Sequence, residues 1–297
     1  VWESVEGIIV KENYDGVPKR TSQVWKELKT FEPVELFIYK NGTDAILQGF
    51  YKYNPNFHVL GLYDICEVPH FIARDKYGNE FRTSGINCGY VGEGPRGTIA
   101  ILEKLGIENA EHIVTENSVI YIDMKSGTPK VEAGGSVFDD YLKDPSERKF
   151  ETARVYHYGE RLVFTELNDS RDTLGFLKFY LERVIDEVEA VYFLMDEEET
   201  LPYRRRAPER YKDRVMDFPI AVRGKNGVEI WLKSHLTGNQ RLEEQPIVNE
   251  VLDIVGFPAL NREQTILDKV KKTLSGKSVE NSALVRIESG ELKVYYI

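Results

Sequence analysis

Cysteine is scarce: the 297 residues hold two, Cys66 and Cys88. That is too few for a disulfide framework, so both are predicted to be free thiols in a reducing compartment. No apolar run approaches the roughly 20 residues that cross a bilayer. The opening Val1-Trp2-Glu3-Ser4-Val5-Glu6 is too acidic and broken to read as a signal peptide. These absences predict a cytoplasmic protein with no membrane partner. The familiar catalytic signatures are missing too: no G-x-S-x-G elbow, no H-E-x-x-H helix and no kinase set. His112, His157 and His235 stand alone in sequence, although a triad assembled in space remains open. No catalytic residue and no cofactor is assigned. Internal repeats, heptads and low-complexity tracts are absent as well.

What is present is ordinary globular material, 41% hydrophobic and 30% charged. Its length suits one large domain or two of usual size. The net charge is −10, and residues 1 to 148 carry 16 basic and 23 acidic side chains, which places −7 of it in the first half. An acidic surface disfavours direct nucleic-acid binding. It suits a protein that covers the basic groove of a partner, and it equally serves plain solubility.

Turn signals recur between apolar segments, at Asn41-Gly42, Tyr77-Gly78-Asn79, Ser126-Gly127, Gly159-Glu160, Asn226-Gly227 and Ser289-Gly290. They predict hairpins and a largely antiparallel sheet content. The last flanks Ala283 to Ile287 and Leu292 to Tyr296, a predicted terminal hairpin. Helical spacing behind Ser170 predicts a helix to about Val188. Pro246 to Gly256 and Asn261 to Gly276 predict two more, and shorter helices are expected over Ser22 to Lys29 and Thr98 to Leu105. The fold class is α+β: hairpin-rich antiparallel sheets with a few packed helices. The charged, Pro-containing stretch Lys143 to Lys149 suggests a boundary between a domain at 1–145, holding the glycine loop 89–98, and a domain at 146–297 with three amphipathic helices.

Three constellations could carry function. Gly92, Gly94 and Gly97 match G-x-G-x-x-G in the run Gly92-Glu93-Gly94-Pro95-Arg96-Gly97-Thr98. Such a loop can present backbone N–H groups at a helix start, with Arg96 as a second charge for a phosphate. Against that, Pro95 lacks an N–H, Glu93 is negative, and the preceding Thr83 to Cys88 is no buried parallel strand. A tight packing loop explains the same glycines. Next, His58, Cys66, His70 and Cys88 offer an N2S2 set compatible with zinc, but a thiol among Leu62, Ile65 and Val68 also reads as a small core side chain. Finally, Asp196 to Glu199 is followed by Tyr203, Arg204, Arg205, Arg206, Arg210 and Tyr211. Arg and Tyr together anchor protein interfaces, while opposed charge runs also neutralise one another on a solvated loop.

Two functions follow. One is a protein-interaction module, an inhibitor acting by occlusion, supported by the acidic surplus, the 17 tyrosines and the Arg-Tyr segment, and compatible with self-association. The other is a nucleotide- or phosphate-binding enzyme built on Gly92 to Thr98. In size, acidity and lack of catalytic motifs the chain resembles phage-encoded anti-defence proteins, and among these it is similar to inhibitors of the Gabija system, a nuclease paired with an NTPase-like helicase. The resemblance implies a multimeric inhibitor in the host cytoplasm that encases such a bacterial defence complex and blocks DNA access. It transfers no functional residue.

Overall fold

The computed structural model describes residues 2–5, 8–13, 21–59, 62–139, 153–166, 172–194, 205–208, 215–234, 236, 240–260, 282–289 and 291–296. The chain divides into two compact units, Val1–Tyr53 with Ile65–Asp144, and Asn54–Asp64 with Pro145–Ile297. Both mix helices with mainly antiparallel sheet, an α+β fold.

Strands β1 (Trp2–Val5), β2 (Ile8–Asn13) and β3 (Glu35–Tyr39) belong to the first unit, and β4 (Lys52–Val59) and β5 (Leu62–Glu67) carry the chain into the second unit and back. Then come β6 (Phe71–Arg74), β7 (Glu80–Thr83), β8 (Val119–Asp123) and β9 (Lys130–Gly134). Seven of these form one sheet in the order β1-β2-β7-β6-β3-β8-β9, antiparallel except for β2 beside β7. The helices are α1 (Thr21–Phe31), α2 (Gly42–Leu47), α3 (Glu93–Lys104) and α4 (Ala110–Glu116).

Strand alternation sorts this sheet into two faces. Leu36, Ile38, Phe71, Phe81, Ile120 and Ile122 pack with Val24 and Leu28 of α1, Ile101 and Leu102 of α3, and Val114 of α4. The other face is amphipathic. Tyr39 and Ile72 pack with Ala45 and Phe50, while the Arg74 guanidinium lies 5.1 Å from the Phe37 ring and binds Glu80 at 2.6 Å.

The second unit continues with β10 (Ala153–Tyr158), β11 (Arg161–Glu166), α5 (Thr173–Val184), β12 (Val188–Phe193), β13 (Arg205–Pro208) and β14 (Val215–Phe218). It ends with β15 (Ile220–Gly224), β16 (Val228–Leu232), α6 (Pro246–Ile254), β17 (Ala283–Glu288) and β18 (Glu291–Tyr296). Its nine-stranded sheet runs β18-β17-β12-β15-β16-β11-β10-β5-β4, with β11 and β16 parallel. The α5 residue Tyr180 stacks on Phe164 at 5.4 Å. On the opposite face, Trp231 packs with Tyr156, Val163, Phe218 and Ala221.

Five of the predicted turns join adjacent antiparallel strands, and Gly78, Gly127, Gly159 and Gly227 sit at positive φ there. The sixth differs. Asn41 is the N-cap of α2, its side chain accepting from the Thr43 N–H at 3.1 Å, so β3 pairs with β6 and β8 and not with the next strand. Helix α5 is shorter than expected. Asp172, not Ser170, caps it through the Gly175 N–H at 2.9 Å, and the alternating run from Val188 leaves it for β12. Helix α3 begins at Glu93, five residues early, because Pro95 costs nothing in a first turn whose N–H groups have no intrahelical partner. The helix predicted over Asn261 to Gly276 and the linker at 143–149 lie outside the described residues.

Candidate functional site

The glycine motif turns out to be the first turn of α3, laid against side chains of its own unit. A Cβ on Gly94 would fall 2.1 Å from the Asn87 Oδ1, and one on Gly92 would fall 2.5 Å from the Tyr90 ring. One on Gly97 would meet the Thr21 Oγ1 at 2.8 Å. Gly89 adds a true backbone requirement, with φ of +81° and the Lys40 Cδ 2.6 Å from where a Cβ would stand. The Asn87 Nδ2 donates to the Tyr90 hydroxyl at 3.1 Å, and the Thr98 Oγ1 donates to the Asn87 carbonyl at 2.7 Å.

An anion cradle needs a run of free N–H groups. Here Pro95 has none, and the Arg96 N–H already donates to the Gly92 carbonyl at 3.1 Å. The space beside the helix start is occupied by Asn87 and Tyr90. Below, Pro95, Gly97 and Thr98 are buried, and the Gly89 N–H donates to the Val114 carbonyl at 2.8 Å. Above, Val91 is 79% exposed and Tyr90 43% exposed, with Glu93 and Arg96 also at the surface. The loop is thus a rigid base presenting two apolar side chains and a charge of each sign.

Set against known protein families, curated proteins and solved structures, the chain matches none.

Beside the loop lies a polar cluster drawn from four segments. The Lys40 Nζ reaches the Asp139 Oδ1 at 3.1 Å, and the Ser118 hydroxyl donates to the same oxygen at 2.7 Å. The Ser136 N–H donates to the Asp139 Oδ2 at 2.8 Å, while its hydroxyl donates to the Asp44 Oδ2 at 2.6 Å. Two carboxylates in one cluster are driven apart. Burial pushes Asp44 up to about 6, with Asp139 adding to the effect and Ser136 and Lys40 opposing it. Burial also raises Asp139, but the bonds from Ser118, Ser136 and Lys40 hold it below the usual carboxylate range.

Asp44 therefore binds its proton more tightly folded than unfolded. Its contribution is greatest below about pH 4, falls as the pH rises toward 6 and stays reduced above that. The Asn replacement removes this dependence and can still accept from Ser136. Asp44→Asn is expected to gain stability relative to wild type between pH 4 and 7, by an amount on the order of 3 kcal/mol at most. Parallel melting curves across that range check the sign; a gap that narrows with rising pH would contradict it.

The predicted metal residues are not gathered into a centre by what is described. Cys88 is fully buried, its thiol donating to the Ser118 carbonyl at 3.3 Å and the Ile38 carbonyl at 3.7 Å. Burial pushes that thiol up to about 12. His70 stands at the start of β6, lowered by burial. His58 belongs to the second unit and Cys66 to the first, and both side chains lie outside what is described. Among the described residues no group of three or more His, Cys, Asp or Glu could hold a metal, and no helix is long and apolar enough to cross a membrane. Of the Arg-Tyr segment, Arg205 and Arg206 lie in β13, opposite Phe218 and Asp217 of β14. Tyr203, Arg204, Arg210 and Tyr211 fall outside the described residues.

In the second unit a carboxylate is buried inside a strand. Glu229 is 0% exposed, and its carboxylate accepts from the Arg223 Nε at 2.7 Å and the Trp231 Nε1 at 2.7 Å. A lone Glu inside Val228-Glu229-Ile230-Trp231-Leu232 was the available signal. A groove of about 510 Å³ in the same unit, with Val188, Phe257 and Ile287 among its lining, closes its own ion pairs at Glu187–Lys225 and Arg286–Glu288.

Proposed function

We propose that this chain is a protein-interaction module, an inhibitor that binds and occludes a nucleic-acid-processing partner, with the loop from Tyr90 to Arg96 as a docking element. One observation carries the reading: Tyr90 and Val91 face solvent on a loop whose glycines are packed. Holding apolar side chains outward on a rigid base lowers the ordering cost of binding. Tyr and Arg are the residues that anchor interfaces, and the acidic surplus steers encounter with a basic surface. A nuclease or NTPase complex of a bacterial defence system fits that chemistry, since its substrate groove must be basic.

The test is capture from a bacterial lysate by the purified chain, run beside a Tyr90→Ala/Val91→Asp variant. A stoichiometric partner held by the wild type and lost by the variant is expected. Val91 is exposed, whereas Tyr90→Ala also gives up the bond from Asn87, so circular dichroism and a melting curve verify that the variant is folded. Equal retention by both proteins, or no partner for either, contradicts the proposal.

A further inference from the structure

Among the described residues, strand β9 ends its sheet, bonded to β8 on one side. Lys130, Val131, Glu132 and Ala133 are all exposed. Alternation puts Val131 on the face shared with Ile122 of β8, and Lys130 and Glu132 on the face of Asp123 and Tyr121. Among the described residues neither Lys130 nor Glu132 has an ion-pair partner. Terminal strands usually carry charge to repel other strands, but this one has the two signs two residues apart around an apolar centre.

We propose that β9 is a self-pairing edge that joins a second copy of this chain in an antiparallel, two-fold dimer centred on Val131. With the axis at Val131, each Lys130 lies opposite Glu132 of the second copy, and the two Val131 residues meet. Pro129 then faces Ala133, and Thr128 faces Gly134, so no bulky side chain opposes the proline. The match holds whichever alternate set of β9 N–H and C=O groups points outward, because an axis through a residue fits either kind of antiparallel pair. Opposite charges across strands favour pairing, and like charges disfavour it. A two-fold contact also closes on itself and stops at two copies. The contact is one short strand, so the dimer is weak and visible only at high protein concentration.

The experiment is sedimentation equilibrium over a concentration series reaching the millimolar range, on the full chain and on Lys130→Glu, Glu132→Lys and the double swap. The wild type is expected to dimerise. Each single variant places like charges together twice and should weaken dimerisation by roughly tenfold or more. The double swap restores it, and mixing the two single variants yields a heterodimer. Circular dichroism confirms that each variant is folded. A wild type that stays monomeric throughout overturns the proposal, as does a dimer that both single variants leave unchanged.

Discussion

Glu229→Ala is expected to cost roughly 3–5 kcal/mol of folding stability, the range for removing one partner of a buried ion pair. The carboxylate has no solvent contact and bridges Arg223 and Trp231 from the middle of β16. Its loss removes the carboxylate that the Arg223 guanidinium binds beside the Tyr192 ring, 4.5 Å away, and that accepts from the indole N–H. Glu229→Gln keeps an acceptor for Trp231 while losing the ion pair, so its cost should be smaller. Urea unfolding followed by tryptophan fluorescence reads both. A loss below about 1 kcal/mol for the Ala variant would mean that other groups satisfy Arg223 and Trp231 equally well.

Gly94→Ala sets two effects against each other. Within a helix, Ala is favoured over Gly by about 1 kcal/mol, and the backbone at Gly94 needs no positive φ. Packing opposes this, because the new methyl would stand 2.1 Å from the Asn87 Oδ1 and 3.3 Å from the Gly85 carbonyl oxygen. Asn87 must rotate away, losing its bond to Tyr90. Overpacking of this kind costs about 1–3 kcal/mol, so a net loss is expected. Adding Asn87→Ala should recover most of it, since the two sites share one clash. If Gly94→Ala instead stabilises the protein, propensity has won and the loop is looser than described.

What the sequence revealed and concealed follows from the range of the interactions involved. The turns at Gly78, Gly127, Gly159 and Gly227 were readable because a positive φ is a demand on one residue. The terminal hairpin was readable because both strands flank one short turn, and the structure pairs them with Ala283 opposite Tyr296. Parallel pairing of β2 with β7 and of β11 with β16 left no local mark. The glycine loop misled in a specific way: three glycines and a proline read as irregular chain, yet Gly92 is the N-cap of α3, Gly94 and Pro95 lie in its first turn and Gly97 follows directly. Asn41-Gly42 had two local meanings, hairpin turn and helix cap, and only the strand partners of β3 decided between them. The cluster of Lys40, Asp44, Ser118, Ser136 and Asp139 spans about a hundred residues of chain with no spacing pattern, so only the folded unit assembles it.

The most direct test of the packed loop is a melting curve of the full chain in the presence of pyrophosphate, nucleoside triphosphates and sugar phosphates. A ligand that binds only the folded state must raise the melting temperature. With Asn87 and Tyr90 against the first turn of α3, no ligand is expected to shift it. A saturable rise with one of them, abolished by Arg96→Ala, would show that the loop opens onto an anion and would contradict a surface-only role.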